Sequence, residues 1–448
     1  MKLGSALATL VILAALYGFL FGFDEGIIAG ALPFIGKVFT LTPASEGLMA
    51  AAVPLGAVCG VILAALFSDK LGRKRVLVGC ALLFALGSAL SGIAGGMTTL
   101  TIARLCLGLA IGASSLAAPM FLAELAPAAL RGAVVTAYQL MITIGILISY
   151  LISLGLAPSE QWRVMLGLGA APALIALWGM WRSPESPRWL VLKGRKEEAG
   201  ETIARLQPEL SQTDVDHSVR EIDESIASTP PAESWRAFLS PQILPYVIFA
   251  TTLFFLQQLS GINAVIYYAP KIMSEAGMSG LNSQLLATVG IGALNMVMTL
   301  VAIAVVDRMG RRPLVLIGFA GAALSLALIA YAFAQSEVHH TQALTGVFLF
   351  IMFFAVSIGP LPWIYMSELF PLRMKTRGMA LAASANWSMN FLVVFLFPVF
   401  LSTFGASFTF CIFAACCTFG LVFCWFRAPE TKGVSLEQLE QELMAARA

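Results

Sequence analysis

Charge is scarce in this chain. Asp, Glu, Lys and Arg make up only 12% of its 448 residues, whereas 59% of the residues are hydrophobic and the mean hydropathy is +0.86. Ordinary globular domains carry about 25% charged residues, so this chain lacks the polar residues that would cover a water-soluble surface. We therefore exclude a soluble enzyme, a nucleic-acid-binding protein and a disordered chain. The apolar runs are long and continuous, which excludes a barrel of alternating strands of about ten residues each.

Histidine and nucleotide-binding motifs are also lacking. The three histidines, His217, His339 and His340, fall in a central charged stretch and in an external loop, so a histidine relay for protons is excluded. The chain has no G-x-x-x-x-G-K-S/T loop, which excludes an ATP-driven pump that uses this motif. It also lacks the T-V-G-Y-G filter of a potassium channel. We expect no cofactor and no catalytic residue.

The cysteines have no pattern that indicates a metal or a disulfide. All of them lie inside apolar runs, and none has the spacing with histidine that a zinc site requires. We expect buried free thiols and no metal site. The seven residues are Cys59, Cys80, Cys106, Cys411, Cys416, Cys417 and Cys424.

Twelve apolar runs dominate the chain, and a bilayer core of about 30 Å requires about 20 apolar residues per helix. The runs centre on residues 7–32, 47–68, 76–95, 99–122, 133–156, 164–182, 243–268, 285–306, 313–334, 343–366, 379–402 and 407–426. The stretch between the sixth and seventh runs is charged and has helical periodicity. We predict four parts: an N-terminal six-helix half (1–182), a cytoplasmic helical linker (183–240), a C-terminal six-helix half (241–428) and a cytoplasmic tail (429–448).

Basic residues are distributed unequally among the loops. The loops after runs two, four, eight and ten hold Lys70, Arg73, Lys74, Arg75, Arg131, Arg308, Arg311, Arg312, Arg373, Lys375 and Arg377, whereas the alternate loops hold Lys37, Arg163 and Lys271. The positive-inside rule places the first set, both termini and the linker in the cytoplasm.

The two halves repeat three motifs in the same order. "SDKLGRKR" at 68–75 matches "VDRMGRRP" at 306–313, "AELAPAALRG" at 123–132 matches "SELFPLRMKTRG" at 367–378, and "PESPR" at 184–188 matches "PETKG" at 429–433. The near-constant offset indicates duplicated halves of like topology, related by an axis along the membrane normal.

These motifs carry a resemblance to a known family. Together with "GFLFGFDEGIIAGALPFI" at 18–35, "QQLSGINAVIYYAP" at 257–270 and "GPLPW" at 359–363, they resemble the sugar porters of the major facilitator superfamily, which include bacterial galactose–proton and xylose–proton symporters. The resemblance implies an all-α integral membrane fold of twelve transmembrane helices in two pseudo-symmetric halves. It also implies a functional monomer that crosses the plasma (cytoplasmic) membrane many times.

Ionisable residues inside the spans mark a candidate proton site. Asp24 and Glu25 lie in the first run and Arg104 in the fourth, where a charge costs roughly 2.5–3.5 kcal/mol unless it is paired or lines a pathway. Glycines at four-residue spacing on both helices would let the helices approach and bring Asp24 to Arg104. The alternative for Glu25 and Arg104 is a side chain that reaches to the interface. The resemblance implies that Asp24 and Arg104 couple the proton, and leaves open whether Glu25 titrates instead.

Amide side chains mark a candidate sugar site. A break at Ser260–Gly261 in the seventh run would let Gln258 and Asn263 face one cavity, whereas an unbroken helix would turn them apart. Amides suit sugar hydroxyls because they both donate and accept hydrogen bonds; the alternative is polar contact between helices. The cluster over five spans is Gln139, Gln257, Gln258, Asn263, Asn295, Asn386 and Asn390.

The resemblance implies a fuller set of sugar-binding residues. They are Gln139, Gln257, Gln258, Asn263, Tyr267, Asn295, Gly359, Trp363, Asn386 and Trp387. The two tryptophans can stack on a sugar, or they can belong to an interfacial aromatic belt. Asn386 agrees with hexose carriers of the family and departs from its xylose carrier.

Charged residues recur at the predicted cytoplasmic helix ends of both halves. We predict that they form an ion-pair latch that closes the cytoplasmic side; the alternative is solvated loop charge worth about 0–1 kcal/mol per pair. The set is Asp69, Arg73, Glu124, Arg131, Glu185 and Arg188 in the first half and Asp307, Arg311, Glu368, Arg377 and Glu430 in the second.

The sequence therefore predicts a secondary transporter that imports a monosaccharide with a proton by alternating access, in the lipid bilayer and without a nucleic-acid partner. An aldohexose such as glucose or galactose is the expected substrate. The alternatives are a passive sugar facilitator and a xylose–proton symporter on the same scaffold. A non-transporting sugar sensor is not favoured, because only about twenty residues follow the last run.

Overall fold

The structure of the chain is a computed structural model. It describes residues 5–125, 131–228, 240–241, 244–335, 339–369 and 375–432, without the side chains of residues 5–6, 131–135, 228, 307, 367–368 and 375–376. Helices account for nearly all of this part of the chain. We use "first half" for residues 1–182 and "second half" for residues 241–428.

The first half begins with four long helices, because its apolar runs are interrupted only at short turns. Its helices are α1 (Ser5–Phe39), α2 (Pro43–Leu71), α3 (Arg73–Gly92), α4 (Met97–Leu125), α5 (Arg131–Leu156), α6 (Trp162–Gly167) and α7 (Ala170–Arg182). Thr42 caps α2, since its side chain accepts from the backbone N–H of Ser45 and Ser45 bonds back to the backbone N–H of Thr42.

Three amphipathic helices follow: α8 (Pro187–Leu192), α9 (Lys196–Leu206) and α10 (Gln212–Ser228). They share a small apolar core around Trp189 and Ala199. The indole N–H of Trp189 donates to the backbone carbonyl of Asp69 at 3.0 Å. This bond attaches the amphipathic helices to the end of α2.

The second half contains more interruptions than the first. Its helices are α11 (Leu244–Leu259), α12 (Ile262–Tyr267), α13 (Ala269–Glu275), α14 (Leu281–Met309), α15 (Arg311–Ala334), α16 (His340–Phe353), a π-helical turn (Phe354–Ile358), α17 (Leu361–Leu369) and α18 (Lys375–Arg427). His340 begins α16, so its predicted place in the preceding loop was wrong by one residue; its side chain is exposed at the helix end.

Eleven helical segments of the described residues are long and apolar enough to cross a membrane. The last of them, Arg377–Arg427, has 51 residues and would extend about 77 Å as one helix, more than twice a bilayer core of about 30 Å. Gly405 has φ 79° and ψ 168°, which interrupts this helix. The segment therefore forms two spans, which makes twelve in the described residues.

The bundle has two ends, which we name by their residues. The basic end is where α2 meets α3 and α14 meets α15, at Arg73 and Arg311. The opposite end is where α1 meets α2 and α13 meets α14, near Lys37 and Lys271.

Large apolar side chains cover the outer surface of the bundle, as expected where hydrocarbon is the solvent; Leu324, for example, is 73% exposed. The cysteines correct one expectation. All seven are free, but Cys59 and Cys411 are exposed on this surface rather than buried. A thiol tolerates such a position because it behaves as a small apolar group.

Candidate functional site

Asp24 and Arg104 form a salt bridge inside the first half. Nη1 of Arg104 lies 3.3 Å from Oδ1 of Asp24, and Nη2 lies 3.3 Å from Oδ2. Arg104 is fully buried and Asp24 is 3% exposed. The predicted contact is therefore confirmed, and each charge has the partner that burial in a bilayer requires.

The glycine spacing does not create this contact, so that part of the prediction was wrong. Added Cβ atoms on Gly18 and Gly22 would lie 2.4 and 1.9 Å from backbone oxygens of α5. On α4, Gly108 and Gly112 pack in the same way against α2. The glycines thus join α1 to α5 and α2 to α4, whereas the long Arg104 side chain crosses the wider gap between α1 and α4.

The seventh span is broken where the sequence predicts. Helix α11 ends at Leu259, Gly261 has φ +85°, and α12 begins at Ile262. Across this break, the amide nitrogen of Asn263 donates to the side-chain oxygen of Gln258 at 2.8 Å. The break therefore brings the two amides together, as predicted.

Gln257 lies one residue earlier and serves a different contact. Its amide nitrogen donates to the backbone carbonyls of Ile358 and Gly359, both at 2.8 Å, and its oxygen accepts from Asn386 at 2.8 Å. The π-helical turn at 354–358 ends where these carbonyls lie. For Gln257, Gly359 and Asn386, these bonds match the alternative of polar contact between helices. Gln258 and Asn263 keep an amide N–H₂ and a carbonyl oxygen without a partner among the described residues.

Both predicted tryptophans lie inside the bundle. Trp387 is 2% exposed; its ring lies 5.0 Å from that of Phe21, and its indole nitrogen lies 3.4 Å from the hydroxyl of Ser115 in the first half. Trp363 is half-buried and packs edge-on against Phe254 at 4.9 Å. The burial of Trp387 excludes an interfacial belt for this residue.

The other predicted sugar residues lie on three helices: Gln139 on α5, half-buried, Asn295 on α14, buried, and Tyr267 on α12, buried. The hydroxyl of Tyr267 and the side-chain oxygen of Asn390 are buried without a hydrogen-bond partner among the described residues. Unpaired buried polar atoms are rare, so these two groups indicate a place for a ligand or water.

At the basic end, Arg73 joins α3 to its neighbours. Its Nε and Nη2 each lie 3.1 Å from Oε1 of Glu124 on α4, and its Nη1 lies 3.0 Å from Asp69 on α2. Arg188 is half-buried on α8, within electrostatic range of Glu124. All of these residues precede residue 240. The contacts therefore join helices of the first half and the amphipathic helix α8 to one another, and none of them reaches the second half.

Glu185 and Glu430 bind backbone amides at two corresponding helix starts. Glu185 accepts from Lys74 N–H at 3.1 Å at the start of α3, and Glu430 accepts from Arg311 N–H at 3.0 Å at the start of α15. Each helix is preceded by a glycine at positive φ, and N-terminal amides favour a carboxylate. Sequence reasoning missed this capping role and assigned both carboxylates to ion pairs only.

These contacts shift the pKa of Glu430. Partial burial acts to raise the pKa, but the backbone N–H groups of Arg311, Lys432 and Arg312 outweigh it and hold the pKa below its usual value. Of the remaining latch residues, Arg377 is half-buried near the start of α18. The side chains of Arg131, Asp307 and Glu368 lie outside the described part of the structure.

The opposite end contains a contact that sequence reasoning missed. Nζ of Lys271 on α13 lies 2.7 and 2.9 Å from the two carboxylate oxygens of Glu46 on α2, which joins the two halves. Both residues line a cavity of about 300 Å³, together with Ala29, Tyr267 and Tyr268. The sequence offered one clue to this contact: an isolated acid in the first turn of α2, Glu46, and an isolated lysine just after the broken seventh span, Lys271.

Comparison with known proteins places this geometry in a family. Residues 10–443 match the family model described as "Sugar (and other) transporter". The chain belongs to this transporter family. This transporter is 37% identical to the galactose-proton symporter of Escherichia coli K12 over 441 residues. The alignment covers 97% of this chain and 94% of the relative. It is 36% identical over 434 residues to the glucose transporter GlcP of Staphylococcus epidermidis, with 96% of each chain covered.

Solved structures show the same fold. The partially occluded inward-open conformation of the xylose transporter XylE from E. coli aligns with a TM-score of 0.85 and 29% identity, covering 96% of this transporter and 99% of that chain. XylE bound to 6-bromo-6-deoxy-D-glucose aligns with a TM-score of 0.81 and 29% identity, over 98% and 99% of the two chains. The predicted major facilitator fold is confirmed.

Proposed function

We propose that this transporter imports a monosaccharide together with a proton by alternating access. The observation that carries the proposal is the buried salt bridge between Asp24 and Arg104, because a protein that only needs stability gains little from a buried ion pair. Protonation of Asp24 neutralises it and releases Arg104, so one proton changes the contact between α1 and α4. The names of the relatives, which include sugar–proton symporters, support this proposal.

The sugar binds between the halves, near the break in the seventh span. Gln258 and Asn263 supply the unused donor and acceptor, Tyr267 supplies an unpaired hydroxyl, and Trp387 offers an aromatic face at the contact between halves. Gln257 positions Asn386 and Gly359 around this space. Gln139, Asn295 and Trp363 complete the proposed set. Aldohexoses are the proposed substrates, with xylose as an alternative.

The halves move against each other about this site. In the proposed orientation, the termini, the amphipathic helices and the basic end face the cytoplasm, and the opposite end faces the outside of the plasma membrane. The Glu46–Lys271 contact closes the outer side. In the other half of the cycle, the charged residues of the basic end close the inner side through contacts between the halves, in addition to the pairs within the first half that this structure contains. The transporter acts as a monomer, because each chain contains both halves.

Proton coupling is tested with Asp24→Asn in proteoliposomes. A proton that crosses about 150 mV releases roughly 3.5 kcal/mol, enough for a few-hundredfold accumulation of a neutral sugar. We expect the wild-type protein to accumulate sugar and Asp24→Asn to lose accumulation while it retains sugar exchange across the membrane. Glu160→Gln is the matched control, because Glu160 forms an exposed pair with Lys37. Accumulation by Asp24→Asn at the wild-type level would rule out the coupling role.

Competition by a panel of sugars against labelled glucose identifies the substrate. The expected order places aldohexoses before pentoses. A facilitator without coupling is the outcome if the wild type equilibrates the sugar without accumulating it and an uncoupler leaves this uptake unchanged.

A further inference from the structure

Glu25 is a buried acid that the proposed function leaves unused. It follows Asp24 on α1 and is 4% exposed. Among the described residues, no hydrogen bond or ion pair involves its carboxyl group, whereas Asp24 has Arg104. An isolated ionised carboxylate is very unfavourable in an apolar interior, so such a group binds a proton or a cation.

Several titratable groups surround Glu25 on the helices packed against α1. Asp24 lies beside it, Tyr138 and Tyr150 face it from α5, and Tyr267 faces it from α12, all within electrostatic range. Tyr150 donates its hydroxyl to the carbonyl of Ile266. The hydroxyls of Tyr138 and Tyr267 are buried without a partner among the described residues. Both can therefore bond to a carboxyl group or to a water beside it.

The cations on α4 and α13, two other helices that pack against α1, are already paired. Arg104 of α4 faces the carboxylate of Asp24, and Lys271 of α13 binds Glu46 at the cavity of the opposite end. In the described part of the chain, the surroundings of Glu25 thus offer hydroxyl groups and no cation that is not already paired.

A route to the opposite end follows the same face of α1. Ala29, Pro33 and Gly36 line the cavity of about 300 Å³, and Glu25 precedes Ala29 by four residues, one turn on the same face. Tyr267 also lines this cavity. Glu25 is therefore the next residue inward from the cavity along α1.

The charge balance decides what Glu25 binds. Two ionised carboxylates and one guanidinium would give this buried region a net charge of −1, and one added proton makes it neutral. We propose that Asp24 and Glu25 share a single transported proton, and that Glu25 carries it while Asp24 is paired with Arg104. This inference rests on the proposed function and deepens it.

The proton moves between the two acids without a change of net charge. The O–H bond of Glu25 breaks, its electron pair stays on the Glu25 oxygen, and an O–H bond forms on Asp24, directly or through one water. Asp24 is then neutral, and the charge of Arg104 is balanced by the Glu25 carboxylate. Both arrangements have no net charge, so neither places an excess charge in the low dielectric of the bundle.

The proposal is tested with Glu25→Gln and Glu25→Asp in proteoliposomes, with Glu160→Gln as control. Without Glu25, a proton on Asp24 leaves the region with a charge of +1. We therefore expect Glu25→Gln to accumulate at least tenfold less sugar at neutral pH and to need a pH about one unit lower for half-maximal accumulation, a tenfold loss of proton affinity. Sugar exchange, which needs no net proton movement, persists, and Glu25→Asp recovers accumulation because it restores an acid.

A spectroscopic measurement tests the resident proton independently of transport. The infrared band of a protonated carboxylic acid is expected in the purified wild-type protein at neutral pH and not in Glu25→Gln. Accumulation and pH dependence of Glu25→Gln that equal those of the wild type would overturn the proposal, as would loss of exchange in both Glu25 variants. If the wild type shows no proton-driven uptake, the proposed function fails, and the infrared band alone decides whether Glu25 holds a proton.

Discussion

Removing the contact between the halves at the opposite end should open that end. Glu46→Gln breaks the ion pair with Lys271, whose atoms approach to 2.7 Å. At this distance the Coulomb energy is about 6 kcal/mol for an effective dielectric constant of about 20. The side chain of Lys271 is 33% exposed and that of Glu46 is 16% exposed. Hydration and side-chain ordering therefore offset most of the Coulomb energy, and the net contribution of the pair is about 1–2 kcal/mol. The population open at this end should rise by a factor of about 5–30.

Cysteine accessibility measures this shift. Ala29 lines the cavity behind the ion pair and is 1% exposed, so Ala29→Cys, in a variant without native cysteines, reports on opening. We expect Glu46→Gln to raise its rate of reaction with a membrane-impermeant thiol reagent, added outside, by about 5–30-fold. Glu160→Gln removes an exposed pair within the first half and should leave the rate unchanged.

Exchanging the two charges provides a further check. The double variant Glu46→Lys/Lys271→Glu retains an ion pair and should return the labelling rate close to that of the parent. Equal labelling rates in Glu46→Gln and the parent would show that the pair does not hold the halves together, and closure at this end would then depend on apolar packing.

Three further predictions concern binding and stability. Gln258→Ala and Asn263→Ala should each weaken sugar binding by about 1–3 kcal/mol, because each leaves sugar hydroxyls unpaired; isothermal titration measures this, and unchanged affinity in both variants would make these amides structural. Gly22→Ala should lower the thermal stability by about 1–3 kcal/mol, since its Cβ would lie 1.9 Å from a backbone oxygen of α5; Gly36→Ala, with open space around it, is the control in a thermal-shift assay. Glu430→Gln should cost about 0.3–1 kcal/mol at neutral pH. Because the pKa of Glu430 is lowered in the folded state, this difference should disappear as the pH falls through that pKa; a difference that persists in acid would exclude the charge as its cause.

The sequence predicts the parts of this fold that follow from local rules. Apolar runs of about 20 residues predict the spans. Gly261 predicts the break in the seventh span, because glycine readily adopts positive φ; the observed φ is +85°. The partnership of Asp24 and Arg104 is predictable because buried charges must pair.

Contacts that depend on which helices are neighbours were not predictable. Spacing shows that Gly22 lies on a small-residue face, but it does not show that α5 rather than α4 packs there. Likewise, an amide inventory cannot show that Gln257 bonds to Ile358 and Asn386 while Gln258 bonds to Asn263. The pair Glu46–Lys271 joins residues 225 positions apart, and no local pattern links them.

The separation of Asp24 and Arg104 along the chain has a consequence for biogenesis. The two residues are 80 positions apart, and a ribosome that adds about 5–20 residues per second needs about 4–16 s to cover that distance. During this interval the first span carries two acids whose insertion costs roughly 2.5–3.5 kcal/mol each when they are charged, and neither α4 nor α5 has yet been made. Early retention of the first span in the membrane must therefore rely on its long apolar flanks and on protonation of both acids, until the fourth span delivers the counter-ion.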